Sequence, residues 1–166
     1  MLKIETGEDN KILRKVSKEI SKDKLKKYAK IWKEMIKYIK DPENGWVGLA
    51  APQVWYSKRL IVVSLLKDWE DESFPTVMMI NPEILEHSEN IIMCDEWCLS
   101  VPWEKWKVPR WESIKLRYFD EKFKENIMIL HWLRADIVQH EIDHLNWILF
   151  TDRLKEYEQQ KKWLLA

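Results

Sequence analysis

The hydrophobic pattern of the chain changes period twice. Over residues 22–40, Leu25, Tyr28, Ile31, Trp32, Met35, Ile36 and Ile39 recur at three- and four-residue intervals, which predicts an amphipathic helix. A shorter helical start is predicted over residues 9–20, and Asp41-Pro42-Glu43-Asn44-Gly45 closes the region with turn-forming residues. Segments 60–66, 76–80, 83–93, 113–119 and 124–130 are runs of strand character separated by proline- or charge-rich turns. They read as strands. The helical period returns from 133 to about 150, and 152–165 reads as a closing helix or tail. Helices at both ends of a block of strands predict an α+β fold, with antiparallel or mixed β-sheets packed around a central helix.

Composition narrows the setting. The 166 residues fit a single domain, 1–166, able to bury a core without disulfides. Lys plus Arg (28) equal Asp plus Glu (28), so the basic excess of a dedicated nucleic-acid binder is absent. The lysines of 22–40 read as the solvated face of a helix. No apolar run approaches the roughly 18 residues of a membrane span, and the first twenty residues hold no apolar signal core. With only Cys94 and Cys98 there is no disulfide framework. A cytoplasmic protein is expected, with no direct nucleic-acid or membrane binding.

One segment carries evident chemistry. Gln139-His140-Glu141-Ile142-Asp143-His144-Leu145 contains H-E-x-x-H on a predicted helix, so both imidazoles share a face and can grip one metal ion. Glu141 lies beside the same point, placed to move protons for an activated water. The plainer possibility is an amphipathic helix that happens to carry two histidines. A catalytic site needs a third protein ligand. In the extended H-E-x-x-H-x-x-G-x-x-H pattern it would fall at Phe150, which cannot bind metal, and the glycine position holds Trp147. A glutamate ligand farther downstream would fall among Leu164, Leu165 and Ala166, which offer none. Cys98, in Glu96-Trp97-Cys98-Leu99-Ser100, is the best available third ligand, although a free cysteine is also a good small core residue. Cys94 reads as strand-end packing. Gly48-Leu49-Ala50-Ala51-Pro52-Gln53 adds a small-residue stretch that lets backbones approach and ends in an amide donor.

Taken in order, G-L-A-A-P-Q at 48–53, E-x-C-L-S at 96–100 and Q-H-E-I-D-H-L at 139–145 closely resemble the three signature motifs of peptide deformylase. Leu13-Arg14-Lys15-Val16 and Leu149-Phe150-x-Asp152-Arg153 resemble the same family, so the likeness spans nearly the whole chain. The resemblance implies hydrolysis of the formyl group from N-formylmethionyl nascent peptides, with release of formate. It makes Cys98, His140 and His144 the ligands of one divalent ion, Fe2+ by preference, with Zn2+, Ni2+ or Co2+ as substitutes. It assigns Glu141 as base and then acid, and the Gln53 amide and Leu99 backbone N–H as donors to the developing oxyanion. Substrate would lie along Val47 and Gly48, its side chain in an apolar pocket with Leu133, Ile137 and Val138 as candidate lining. Ribosome contact near Lys161 and Lys162 is a further implication. The alternatives are an H-E-x-x-H metallopeptidase that cuts internal bonds, and a tryptophan-rich binding module on an impaired scaffold.

The tryptophans break the resemblance in a patterned way. Tryptophan occurs 11 times and glycine only 3 times, against an average glycine usage of about 7 %. Trp46, Trp55, Trp97, Trp103, Trp106, Trp132 and Trp147 stand where members of the family typically carry glycine. That pattern suggests UGA codons read as glycine in the organism but rendered as tryptophan in the written sequence. Trp32, on the apolar face of a helix, reads as a true tryptophan.

Overall fold

The computed structural model describes residues 2–66 and 74–164; Trp69 and residues 165 and 166 lie outside them. Helix α1 (Leu25–Lys40) buries Tyr28, Ile31, Trp32, Met35 and Ile39, the stripe its periodicity predicts. It ends where Asn44 donates from Nδ2 to the carbonyl of Tyr38 at 2.9 Å and Gly45 takes a φ of 65°. Strand β1 (Gly48–Ala50) follows, then a one-turn 3-10 helix (Ala51–Val54) and β2 (Leu60–Ser64).

Five strands form one antiparallel sheet in the order β1-β2-β3-β6-β7, with β3 at Thr76–His87, β6 at Ser113–Phe119 and β7 at Glu125–His131. All five residues of β2 are buried because the sheet is covered on both faces. Leu60 and Val62 pack toward α1 with Met78 and Ile80. Ile61 and Val63 pack with Met79, Ile114 and Leu116 against helix α2 (Trp132–Leu145). An uninterrupted apolar strand rather than an alternating one is what two-sided cover demands.

Among the described residues β4 (Ile91–Cys98) and β5 (Val101–Trp111) pair only with each other, as a two-stranded ribbon. Helix α2 contacts both the main sheet and this ribbon, and α3 (Phe150–Leu164) closes over the ribbon. Cys98, Val101, Val108, Leu149 and Phe150 form the small core between them. The α+β architecture is therefore as expected, with α2 enclosed between two β-layers.

Several boundaries differ from expectation. Residues 9–20 form turns rather than a helix, held by Arg14 against Asp152 and by Ser17 N–H donating to Leu145 at 2.8 Å. The break foreseen at Asn81-Pro82 is a bulge inside a continuous β3: Asn81 adopts a φ of 50°, and its side-chain amide bonds both backbone groups of Ile20 at 2.9 Å. Segment 83–93 divides at the turn Ser88–Asn90 between β3 and β4. Strand β5 has no clear sequence signal because Pro102 and Pro109 interrupt it. A ribbon tolerates them, since each strand keeps one edge without a ladder. Helix α2 stops at Leu145 instead of reaching 150, where Trp147 turns left-handed with a φ of 62°.

Candidate metal centre

Helix α2 is buried nearly all round, so its polar residues need partners, and these partners build the site. Gln139 donates from Nε2 to the carbonyl of Trp111 at 2.9 Å and accepts from its N–H at 3.1 Å, fastening the helix to the end of β5. Asp143 accepts from Arg110 at 2.5 Å and from Arg153 at 2.6 Å. Arg110, itself buried, also grips Glu96 at 2.5 and 3.0 Å. Burial alone would raise the Asp143 carboxyl, but the charges and hydrogen bonds of Arg110 and Arg153 hold it below its ordinary value. Sequence reasoning did not find this network: Arg110 lies 14 residues from Glu96 and 33 from Asp143, a separation no local pattern reports.

Cys98 ends β4 at a bulge, and His140 and His144 project from one face of α2. Their ligand atoms all lie within 4.8 Å of one another, with Cys98 Sγ 3.2 Å from Nε2 of His144. His140 donates through Nδ1 to Glu96 at 2.6 Å, which leaves Nε2 for the shared point. Burial would push the Cys98 thiol up, but the two imidazoles outweigh it and hold the group well below its ordinary value. The sulfur also accepts from Ser100 N–H at 3.4 Å and Gln53 Nε2 at 3.6 Å. One thiolate and two imidazoles would suit a divalent transition-metal ion, which at a catalytic site takes three protein ligands and could activate a water. The residues fit such an ion.

Glu141 lies beside the cluster, with Oε2 buried and without a hydrogen-bond partner among the described residues. Burial raises its carboxyl to about 7 against the lowering pull of the two histidines. The 3-10 turn after β1 presents Gln53, whose Oε1 accepts from Ala50 N–H at 2.8 Å and whose Nε2 donates to Ser100 at 3.1 Å. Backbone bonds from Glu5 N–H to Gln53 (2.8 Å) and from Gly7 N–H to Ser100 (2.9 Å) tie the N-terminal segment to both partners.

A cleft opens onto this cluster, lined by Val47, Gly48, Leu99 and Ile137 with Gln53 and Glu141. Trp46 and Trp97 also border it. Leu133 and Val138 are not part of its lining. Val138 is fully buried in the core between α2 and the sheet, and Leu133 packs on the same cluster, because their positions on α2 face the sheet. Cys94 is not in the metal cluster, and burial pushes its thiol up to about 12.

Residues 1–160 match the family model for polypeptide deformylase. The chain belongs to the peptide deformylase family. A peptide deformylase from Synechocystis is 41 % identical over 147 residues, covering 87 % of this chain and 75 % of the relative. A class I type b peptide deformylase from Acinetobacter baumannii superposes with a TM-score of 0.82 at 36 % identity, covering 92 % of this chain and 98 % of that one. A second structure of that enzyme, with Met-Ala-Ser bound, gives 0.78 at 34 % identity, covering 92 % and 98 %. Like its relatives, this deformylase is a hydrolase that removes the N-formyl group from nascent peptides. Among the described residues no helix is long and apolar enough to cross a membrane.

Proposed function

We propose that Cys98, His140 and His144 hold one divalent ion, Fe2+ in the native enzyme, and that Glu141, Gln53 and the Leu99 N–H carry out deformylation around it, with residues 1–166 acting as one catalytic domain. The observation that carries this is the convergence of a thiolate and two imidazoles within 4.8 Å, next to a buried carboxylate with an unpartnered oxygen. A bound ion supplies Lewis acidity, which makes water a nucleophile near neutral pH.

The chain's own groups do the rest. Glu141 takes the proton of the attacking water and later delivers a proton to the departing amine, so that the C–N bond breaks to formate and a free N-terminus. Its exclusion from solvent keeps the carboxyl basic enough to accept that proton. Gln53, fixed by Ala50 and Ser100, donates from Nε2 to the formyl oxygen as charge develops there, together with the Leu99 N–H. Strand β1 is an edge of the sheet, so an extended peptide can run beside Val47 and Gly48, with Ile137 against its first side chain. Met-Ala-Ser in the Acinetobacter relative supports a peptide of this kind as the ligand.

The enzyme works in the cytoplasm on nascent chains, and the exposed Lys161 and Lys162 of α3 give it a basic end to turn toward the ribosome. The deciding experiment is anaerobic formate release from formyl-Met-Ala-Ser after loading with Fe2+. Activity that Cys98→Ala abolishes supports the site; full activity in that variant overturns it.

A further inference from the structure

Among the described residues five that are not glycine have positive φ, and three of them are tryptophans: Trp55 at 75°, Trp132 at 51° and Trp147 at 62°. Asparagine, as at Asn81, visits this region with modest strain, whereas a bulky side chain there is an outlier; besides the tryptophans only Phe123, at 59° in the turn after Asp120, is one among the described residues. The local hydrogen bonding explains why the backbone turns left-handed. Trp147 follows the C-cap Asn146 of α2, and Ile148 N–H reaches back across it to the carbonyl of Asp143 at 3.0 Å. That bond defines a helix-ending motif whose left-handed residue is usually glycine. Trp55 repeats the arrangement after the 3-10 turn, with Tyr56 N–H bonded to Ala51 at 3.0 Å. Trp132 marks the junction where β7 turns into α2.

The side chains gain little in return beyond one exposed hydrogen bond, from Trp132 Nε1 to Glu112 at 3.0 Å. Trp55, Trp132 and Trp147 are 56 %, 63 % and 54 % exposed, whereas Trp32, seated in the α1 core, is 8 % exposed. Trp103 and Trp106 on the ribbon are likewise turned to solvent, and Trp46 and Trp97 border the cleft beside the metal ligands. A chain with 11 tryptophans and 3 glycines thus places indoles where its own backbone calls for a hydrogen atom.

We infer that positions 55, 132 and 147 are translated as glycine from UGA codons, and that the same decoding at 46, 97, 103 and 106 leaves the substrate cleft wider than two bordering indoles allow. A reassigned codon acts wherever it occurs in the gene, and the other four positions join the three because their indoles face solvent on the ribbon or stand at the rim of the cleft rather than in a core as Trp32 does. The widening of the cleft rests on the deformylase site proposed above; the decoding does not.

The gene's codons and the mass of peptides from the protein made in its own organism test the decoding. UGA at 55, 132 and 147 with UGG at 32, and peptides carrying glycine at those three positions, are expected. UGG codons there, or peptides carrying tryptophan, overturn the inference. Two recombinant proteins, one as written and one with glycine at all seven positions, then test the consequence. The glycine form should melt at higher temperature and show a lower KM for formyl-Met-Ala-Ser; equal KM values overturn the widened cleft. If the codons are UGA and neither form releases formate, the decoding stands and the catalytic assignment falls.

Discussion

A Cβ built on Gly48 would lie 2.2 Å from Oε1 of Glu141 and 2.8 Å from its carboxyl carbon. The backbone of β1 therefore serves as a wall against which the proposed proton carrier rests, and no side chain fits between them. Gly48→Ala should push the carboxylate out of place while leaving the strand's pairing with β2 intact. Formate release should fall by about 100-fold or more, the scale expected when a general base is lost or misplaced. A kcat measurement beside a thermal melt checks this, and a fully active Gly48→Ala would show that Glu141 need not sit there.

Glu141→Gln keeps the shape and removes the base. Activity should drop by about 10²–10⁴-fold, with metal content unchanged by elemental analysis. Replacing a buried carboxylate that has an unpartnered oxygen with a neutral amide should leave the melting temperature equal or higher.

Glu96 orients His140 through the 2.6 Å bond to Nδ1. Glu96→Gln should weaken metal binding by about 10- to 100-fold, read by chelator competition. Loss of activity with undiminished metal affinity would argue against this orienting role.

Arg110 holds Glu96 and Asp143 together at 3 % exposure, with Asp136 3.8 Å away. Arg110→Met leaves Glu96 buried without its guanidinium and Asp143 with Arg153 alone, and should cost about 3–5 kcal/mol in urea unfolding. The same network sets the acid limit. Although burial opposes it, Arg110 depresses the folded-state pKa of both Glu96 and Asp143. Their contribution is therefore complete above the unfolded carboxylate range of about 4 and is lost as pH falls below it. The raised carboxyl of Glu141 works the other way, binding its proton in the folded state first, so urea midpoints should hold or rise from neutral pH to about 5 and decline only below the unfolded carboxylate range of about 4.

Much of the fold was legible because it rests on local periodicity. Tyr28, Ile31 and Met35 identified α1, the strand-like run 113–119 between its turns identified β6, and the four-residue spacing of His140 and His144 brought them onto one face. Cys98 was reached by elimination and by motif order. What escaped depends on partners distant in sequence. Strand β5 hides its pairing behind two prolines that only an open-edged ribbon accommodates. Val138, carried over from the resemblance as candidate pocket lining, is fully buried in the core between α2 and the sheet. Residues 9–20 have helical spacing, but Leu13 is fully buried and Arg14 is drawn to Asp152, contacts that a turn meets and a helix would not.

Removing the ion should lower the melting temperature, and Fe2+, Zn2+, Ni2+ or Co2+ should each restore it in the parent protein but not in Cys98→Ala. A melt unaffected by chelation would place the ion elsewhere or make it structurally idle.

The sulfur is carried by a ribbon that shares no ladder with the main sheet, whereas both imidazoles ride on the helix. The ligand set is thus assembled across a seam, sealed by Arg110, Gln139 and the small core around Phe150. Slippage along that seam would spoil coordination at the proposed site while every helix and strand remained formed. The enzyme accordingly acts as a gauge of its own closure: under gentle denaturation it should release its ion before its circular dichroism changes.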